Sequence, residues 1–387
     1  MVHLLGLANF FLFTLAAVRG VRACLTDDDC SLNGVCDAKT STCTCDPGWV
    51  SSDCGKLDLL PAAKGTGYNY TNATMPDHFS TRGGNSSWGG QIIQDRNDKS
   101  LFHLVISQLS RGCGLAGWRP FSTVIRAESR NGPAGPYEWK QELFGTFHHN
   151  PTTIWSPADE KYLIYFIGRD METPDTCRSI KMPNNVSVAS SPDLKVWDEQ
   201  TLLLINKTNP TPWPLWTPEN PTSEMILGVE DNVIHKADSY IGPYSLIKKQ
   251  PWNTSDYSDH WSEDPFLWRD KRGNWHILVH WMVDIAERGE KFPRVGGHLF
   301  SRELTGNWTW KLQEVYNTTV HFTDGSRTDY LRRERPKLFF SDDGEMTPLY
   351  LVNGVQQFNS SGSYTLIQPI GKSAKKYERD LGFHADE

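Results

Sequence analysis

Glu263-Asp-Pro-Phe-Leu-Trp268 is a charged pair, a proline and an apolar run, and its recurrence along the chain decides the fold. The matching stretches are Trp88-Gly-Gly-Gln-Ile-Ile93, His149-Asn-Pro-Thr-Thr-Ile154, Glu219-Asn-Pro-Thr-Ser-Glu224 and Glu334-Arg-Pro-Lys-Leu-Phe339. Each is followed by a second apolar strand, at 101–107, 162–168, 225–229, 276–280 and 349–355. A third strand is expected in four of the units, at 123–129, 186–190, 232–239 and 297–301, and turns such as Gly135-Pro-Tyr137 and Gly242-Pro-Tyr244 recur after it. Repetition at such long intervals marks a radial array. Five units of three or four strands predict an all-β fold, a closed five-bladed β-propeller over residues 86–375, which avoids long exposed sheet edges.

Composition narrows the function classes. The 387 residues suffice for one large domain and a small module. A formal net charge of −7 argues against nucleic acid as a partner, because neutralising phosphates needs a basic surface. The 15 Trp, 13 Tyr and 17 Phe favour strands and supply flat faces for stacking on sugar rings, although most such rings fill a β core. Residues 1–23 read as a signal peptide: an apolar stretch at 4–18 precedes Val21 and Ala23, small residues at positions −3 and −1 before Cys24. The mature chain is then expected to be secreted, with no membrane anchor. Two further signals agree: eight cysteines, and sequons at Asn69, Asn72, Asn85, Asn185, Asn206, Asn253, Asn307, Asn317 and Asn359.

Six cysteines crowd into residues 24–54, ending in Cys43-x-Cys45-Asp-Pro-Gly48-Trp49-x4-Cys54. This spacing resembles the EGF-like domain. The resemblance implies pairings Cys24–Cys36, Cys30–Cys43 and Cys45–Cys54, which a module too small for a sufficient core requires. Val21-Arg22-Ala23 lacks the acidic and amide pattern of the calcium-binding version, so no calcium is expected. Such a module serves either as a contact for an extracellular protein or as a spacer or cap. Residues 55–85 read as a linker and 376–387 as a tail. The remaining cysteines, Cys113 and Cys177, are expected to pair across the first two blades.

The first strand of each blade lines the central channel. Aligning Pro151, Pro221, Pro265 and Pro336 therefore brings His149, Glu219, Glu263 and Glu334 to one mouth, next to Asn150, Asn220, Asp264 and Arg335. Crowded carboxylates raise one another's pKa and an arginine lowers it, so one can donate a proton while another stays ionised. On this architecture and on Ser262-Glu263-Asp264-Pro265-Phe266-Leu267-Trp268, residues 86–370 resemble the five-bladed propeller glycoside hydrolases. That group holds the arabinanases and xylosidases of family 43 and, as relatives, the invertases and fructanases. The resemblance implies an oligo- or polysaccharide substrate, an inverting mechanism without cofactor, and Glu263 as general acid.

The chain departs from that family at two places. Where the family's base opens the first blade with Asp, this chain has Ser87-Trp88-Gly89-Gly90; where its orienting Asp opens the third blade, it has Glu219-Asn220-Pro221. Either Glu219, Asp264 or Glu334 replaces them, or hydrolysis is lost and the propeller only binds glycan. Trp88, His149, Asn150, Glu334 and Arg335 are candidate substrate contacts. Each has a structural alternative: packing for Trp88, a hydrogen-bonded rim for His148 and His149, and an interblade ion pair for Arg335. His276 and His280 lie four apart on a strand, not in the helical zinc arrangement, so no metal is expected.

Overall fold

The structure, a computed structural model, describes residues 24–68, 86–230, 233–249, 261–282, 295–311 and 313–383. The expected signal peptide and the sequons at Asn69, Asn72, Asn85 and Asn253 lie outside these residues. Of the other sequons, Asn206, Asn307, Asn317 and Asn359 are exposed and Asn185 is half-buried.

A small module opens the described chain with two short hairpins, β1 (Gly34–Asp37) with β2 (Thr42–Cys45) and β3 (Trp49–Val50) with β4 (Lys56–Leu57). Five four-stranded antiparallel sheets follow. Blade one comprises β5 (Ser87–Gln94), β6 (Phe102–Leu109), β7 (Ser122–Ser129) and β8 (Glu138–Phe144). Blade two comprises β9 (His148–Ser156), β10 (Lys161–Gly168), β11 (Asn185–Ser191) and β12 (Thr201–Ile205). Blade three comprises β13 (Thr211–Pro214), β14 (Met225–Val229), β15 (Val233–Ala237) and β16 (Ser245–Lys248). Blade four comprises β17 (Trp261–Arg269), β18 (Trp275–Met282), β19 (Val295–Ser301) and β20 (Thr309–Trp310). Blade five comprises β21 (Thr319–His321), β22 (Arg327–Phe340), β23 (Pro348–Gln357) and β24 (Tyr364–Pro369).

The ring closes through apolar packing between neighbours. Val105 and Val124 of blade one meet Ile164 and Phe166 of blade two. Leu163 and Tyr165 meet Leu227 of blade three, whose Ile226 meets Leu267 and Ile277 of blade four. Phe266 and Leu278 meet Leu338 and Leu351 of blade five, whose Tyr350 and Val352 return to Leu104 and Ile106. Both faces of a middle strand are thereby covered, which is why β6 is buried along its whole length and β10 nearly so.

Within the stretch read as a linker, residues 55–68 pack on the propeller. Leu59 bridges Ile370 and Tyr68 bridges Thr365, so this segment runs along the outer edge of β24. The reason is the edge itself: β24 pairs with β23 on one side only and stands last in its sheet, so its outer backbone groups need partners. The expected tail also begins too late, because the helix Gly371–Asp380 spans residue 375 and buries Ala374 against blades one and five.

Disulfides join Cys24 to Cys36, Cys30 to Cys43, Cys45 to Cys54 and Cys113 to Cys177. The small module is docked. Its Trp49, Cys24, Cys30 and Cys54 share a core with Trp268, Tyr316 and Ile370 of the propeller. Arg272 grips Asp46 with two hydrogen bonds and donates a third to the Leu32 carbonyl.

Candidate functional site

The five innermost strands share one device. Gly89, Asn150, Asn209, Asp264 and Arg335 all adopt left-handed backbone conformations, with φ between 54° and 62°. Gly89, Asn150 and Asp264 stand near the start of their inner strands, Asn209 just before β13 and Arg335 within β22, and four of the five positions coincide with a register shift against the next strand. Such bulges re-aim side chains, here towards the axis. Glycine, asparagine and aspartate tolerate this conformation; arginine does so only where its surroundings hold it.

Those surroundings are a buried polar network. Arg335 forms an ion pair with Asp264 and donates through Nη1 to Asn209 Oδ1 at 2.6 Å. Its own backbone N–H reaches Asp264 Oδ2 at 3.3 Å, and His280 Nδ1 stands 2.7 Å from that same oxygen. Asn150 hydrogen-bonds Asn209, which in turn donates to Glu230. Lys337 donates to the Pro151 carbonyl and the Thr152 hydroxyl. The space left on the axis is about 20 Å³, enough for one water and far too small for a sugar ring.

Burial alone would raise the Asp264 carboxyl, but Arg335 and His280 overcome it and hold the group well below the usual range. Glu263, next in chain, goes the other way. Burial raises it, and Asp264 and Glu334 reinforce that rise against His280 and Arg335. Burial would depress His280, but Glu334, Asp264 and Glu263 together raise it. Burial and then Arg335 lower Lys337 to about 7. Glu334 is buried and paired with Arg332 at 3.0 Å. The mouth of blades four and five thus holds one carboxyl raised above its ordinary range beside one held below it, the division that acid–base chemistry uses.

A carboxylate oxygen from each of Glu263 and Asp264 and a ring nitrogen of His280 lie within 4.8 Å of one another. Those three are the residues here that could meet a cation, but Asp264 is already committed to Arg335 and His280. The same separation bears on catalysis. An inverting pair stands about 6.5–9.5 Å apart to admit a water, so Asp264 is too close to Glu263 to be its base.

Several sequence candidates fall elsewhere. Glu219 is exposed in the turn between Thr217 and Asn220, beyond the inner strand of blade three. The strand that lines the axis there is β13, opened by Asn209-Pro210; a second Asn-Pro-Thr string at 220–222 mimics it. Trp88 is 2 % exposed and packs against Gly354, so it offers no open platform. His149 is buried, with Ser122 Oγ at 2.7 Å from Nδ1 and the Trp118 ring 4.7 Å away; burial, then Arg335, holds its pKa well below the ordinary value. His148 is packed between Phe144 and Phe166. Asn150 and Arg335 line the axial space, each as a partner in its polar network.

Sequence reading missed Asn209, His280 and Lys337. The pairing of Glu263 with His280 on the neighbouring strand is the register signal that would have found His280. Spacing would have found Asn209: Pro210 stands nearly midway between Pro151 and Pro265, whereas Pro221 does not.

No family model and no curated protein matches the chain. Among solved structures, a thermostable family-43 glycoside hydrolase is similar at 12 % identity and a TM-score of 0.46, over 78 % of this chain and 92 % of that one. A xylan β-1,4-xylosidase from Bacillus halodurans is similar at 12 % identity and a TM-score of 0.48, over 73 % of this chain and 53 % of its own. An α-L-arabinofuranosidase from Lactobacillus brevis is similar at 11 % identity and a TM-score of 0.46, over 73 % and 90 %. This chain therefore spans about half the length of the xylosidase. The five-bladed architecture rests on the chain's own sheet order.

Proposed function

We propose that the protein is a secreted glycoside hydrolase acting on oligo- or polysaccharide at the mouth formed by blades four and five. The observation that carries this reading is the raised carboxyl of Glu263 beside the ionised Asp264, with Glu334 as a second buried carboxyl in the adjoining blade. Glu263 gives its proton to the glycosidic oxygen as the bond from that oxygen to the anomeric carbon breaks. Water adds to that carbon and loses its proton to Glu334. Asp264 stays ionised and, with Asp264-paired Arg335, sets the electrostatics around Glu263. Four disulfides that use all eight cysteines support an oxidising, extracellular compartment. Leu25 and Val35, exposed on the module, support a protein contact on its outer face.

One observation favours a second reading, a propeller that binds glycan without cleaving it. Blade one brings Gly89 to the axis in place of a carboxylate, and Arg335 occupies the space. A panel of plant, algal and fungal glycans, assayed for both binding and reducing-end release, separates the two. Release by the wild-type protein that Glu263→Gln abolishes while keeping binding supports the hydrolase. Binding with no release by the wild type supports the second reading.

A further inference from the structure

β17 runs away from Glu263 to Arg269, and the hairpin 270–273 turns back into β18. The far end of the propeller is therefore a different surface from the mouth described above. There, where β13 and β17 end side by side, lies a cavity of about 410 Å³. The axial space is about 20 Å³, so this is the far larger of the two. Its volume is in the range of small-molecule sites, ~300–1,000 Å³.

We infer that this cavity is a second carbohydrate site, taking an uncharged sugar ring of a neutral glycan. Trp213 and Trp216 line it. Trp213 is half-buried and anchored against the cores of blades three, four and five, which makes it a rigid wall. Trp216 is also half-buried, yet among the described residues no hydrogen bond, ion pair or ring contact holds it. A large ring with an apolar face and a single donor, set beside polar groups, suits a pyranose, whose faces are apolar and whose rim is hydroxyl.

The polar lining fits an uncharged ligand. Arg272 is neutralised by Asp46, Lys271 by Glu345, and Asp270 faces His276 and Asn274. Arg269 donates through Nε to the Gly273 carbonyl at 3.2 Å and makes no carboxylate contact among the described residues, so its remaining N–H groups are available to sugar hydroxyls. Thr217 is part of the same lining, its hydroxyl accepting from the Asn220 backbone N–H at 3.1 Å. The docked module has a part in this: its Asp46 and Leu32 carbonyl fix Arg272 as one wall of the cavity.

The experiment is a titration of the full chain, followed by tryptophan fluorescence and calorimetry, with xylotetraose, arabinotetraose and laminaritetraose, and with tetragalacturonate as the charged comparison. It is run on the Glu263→Gln variant, so that failure of the proposed hydrolysis and failure of this site are read apart. At least one neutral tetrasaccharide should bind, and Trp216→Ala and Arg269→Gln should each weaken binding tenfold or more with unchanged melting temperature. Binding that ignores both substitutions, selective binding of tetragalacturonate, or no binding by any of the four would overturn the assignment.

Discussion

A Cβ on Gly89 would stand 2.8 Å from the Cβ of Arg335. Blade one gives up a side chain at the axis so that blade five can place a guanidinium there. Gly89 also has φ of +62°, so alanine is strained at this position whatever the space. Gly89→Ala is expected to cost about 1–3 kcal/mol by overpacking. Thermal unfolding should show the midpoint falling by several degrees; an unchanged midpoint would mean that Arg335 does not fill the axis as described.

Arg335→Met leaves Asp264 buried with His280 as its remaining partner. Removing one member of a buried pair costs about 3–5 kcal/mol, because the survivor is left uncompensated. Burial then dominates and the Asp264 carboxyl rises. Adding Asp264→Asn should recover much of the loss, since no bare charge remains. Denaturant titration of the wild type, both single variants and the double variant measures this, and a double variant as unstable as Arg335→Met would count against the ion pair as the source of the cost.

How far the sequence carried this description can be judged at single residues. The Asn150, Asp264 and Arg335 openings were legible because each is followed by proline, which fixes the chain's direction into an inner strand. Blade three was misread because Asn209-Pro-Thr and Asn220-Pro-Thr are locally identical, and only pairing with β14 distinguishes them. Substrate contact and packing read alike for Trp88 because exposure is a property of packing, here against Gly354, and leaves no local mark. That the Asp264 carboxyl is held low while that of Glu263 is raised depends on which side of the bulge each faces, which one-residue shifts reverse.

Glu263 should govern the alkaline limb of any glycosidase activity. Its carboxyl is raised above the ordinary 4.5, so the protonated donor persists to higher pH than an exposed glutamate would, and activity falls as pH rises through the raised value. Glu263→Gln should lower turnover by about 10²–10⁴-fold and remove that limb, with substrate affinity retained. A variant that keeps wild-type turnover would assign the acid to another group.

His276 and His298 stack with ring centroids 5.2 Å apart and nitrogens 3.0 Å apart, between Trp268 and the module's Trp49. Burial holds His276 below, and His298 well below, the ordinary 6.5. Asp270 and Asp46 pull His276 up and Arg272 pushes it down, while His276 and Lys311 push His298 down. Well above pH 6.5 both rings are neutral whether folded or unfolded, and they contribute no pH dependence. Below it the unfolded chain takes up protons that the folded stack refuses, so stability falls until the lowered folded values are reached, by up to about 1.4 kcal/mol per pH unit for each ring. Asp270, itself held low despite burial, adds a further loss at still lower pH as it is protonated. Melting temperatures between pH 7.5 and 5 should therefore drop, and His298→Gln should flatten the slope by removing one of the two rings. Because the stack lies where the module meets blade four, limited proteolysis at pH 5 should release the disulfide-linked module before it degrades blades one to three. Equal slopes in wild type and variant would show that the acid sensitivity arises elsewhere.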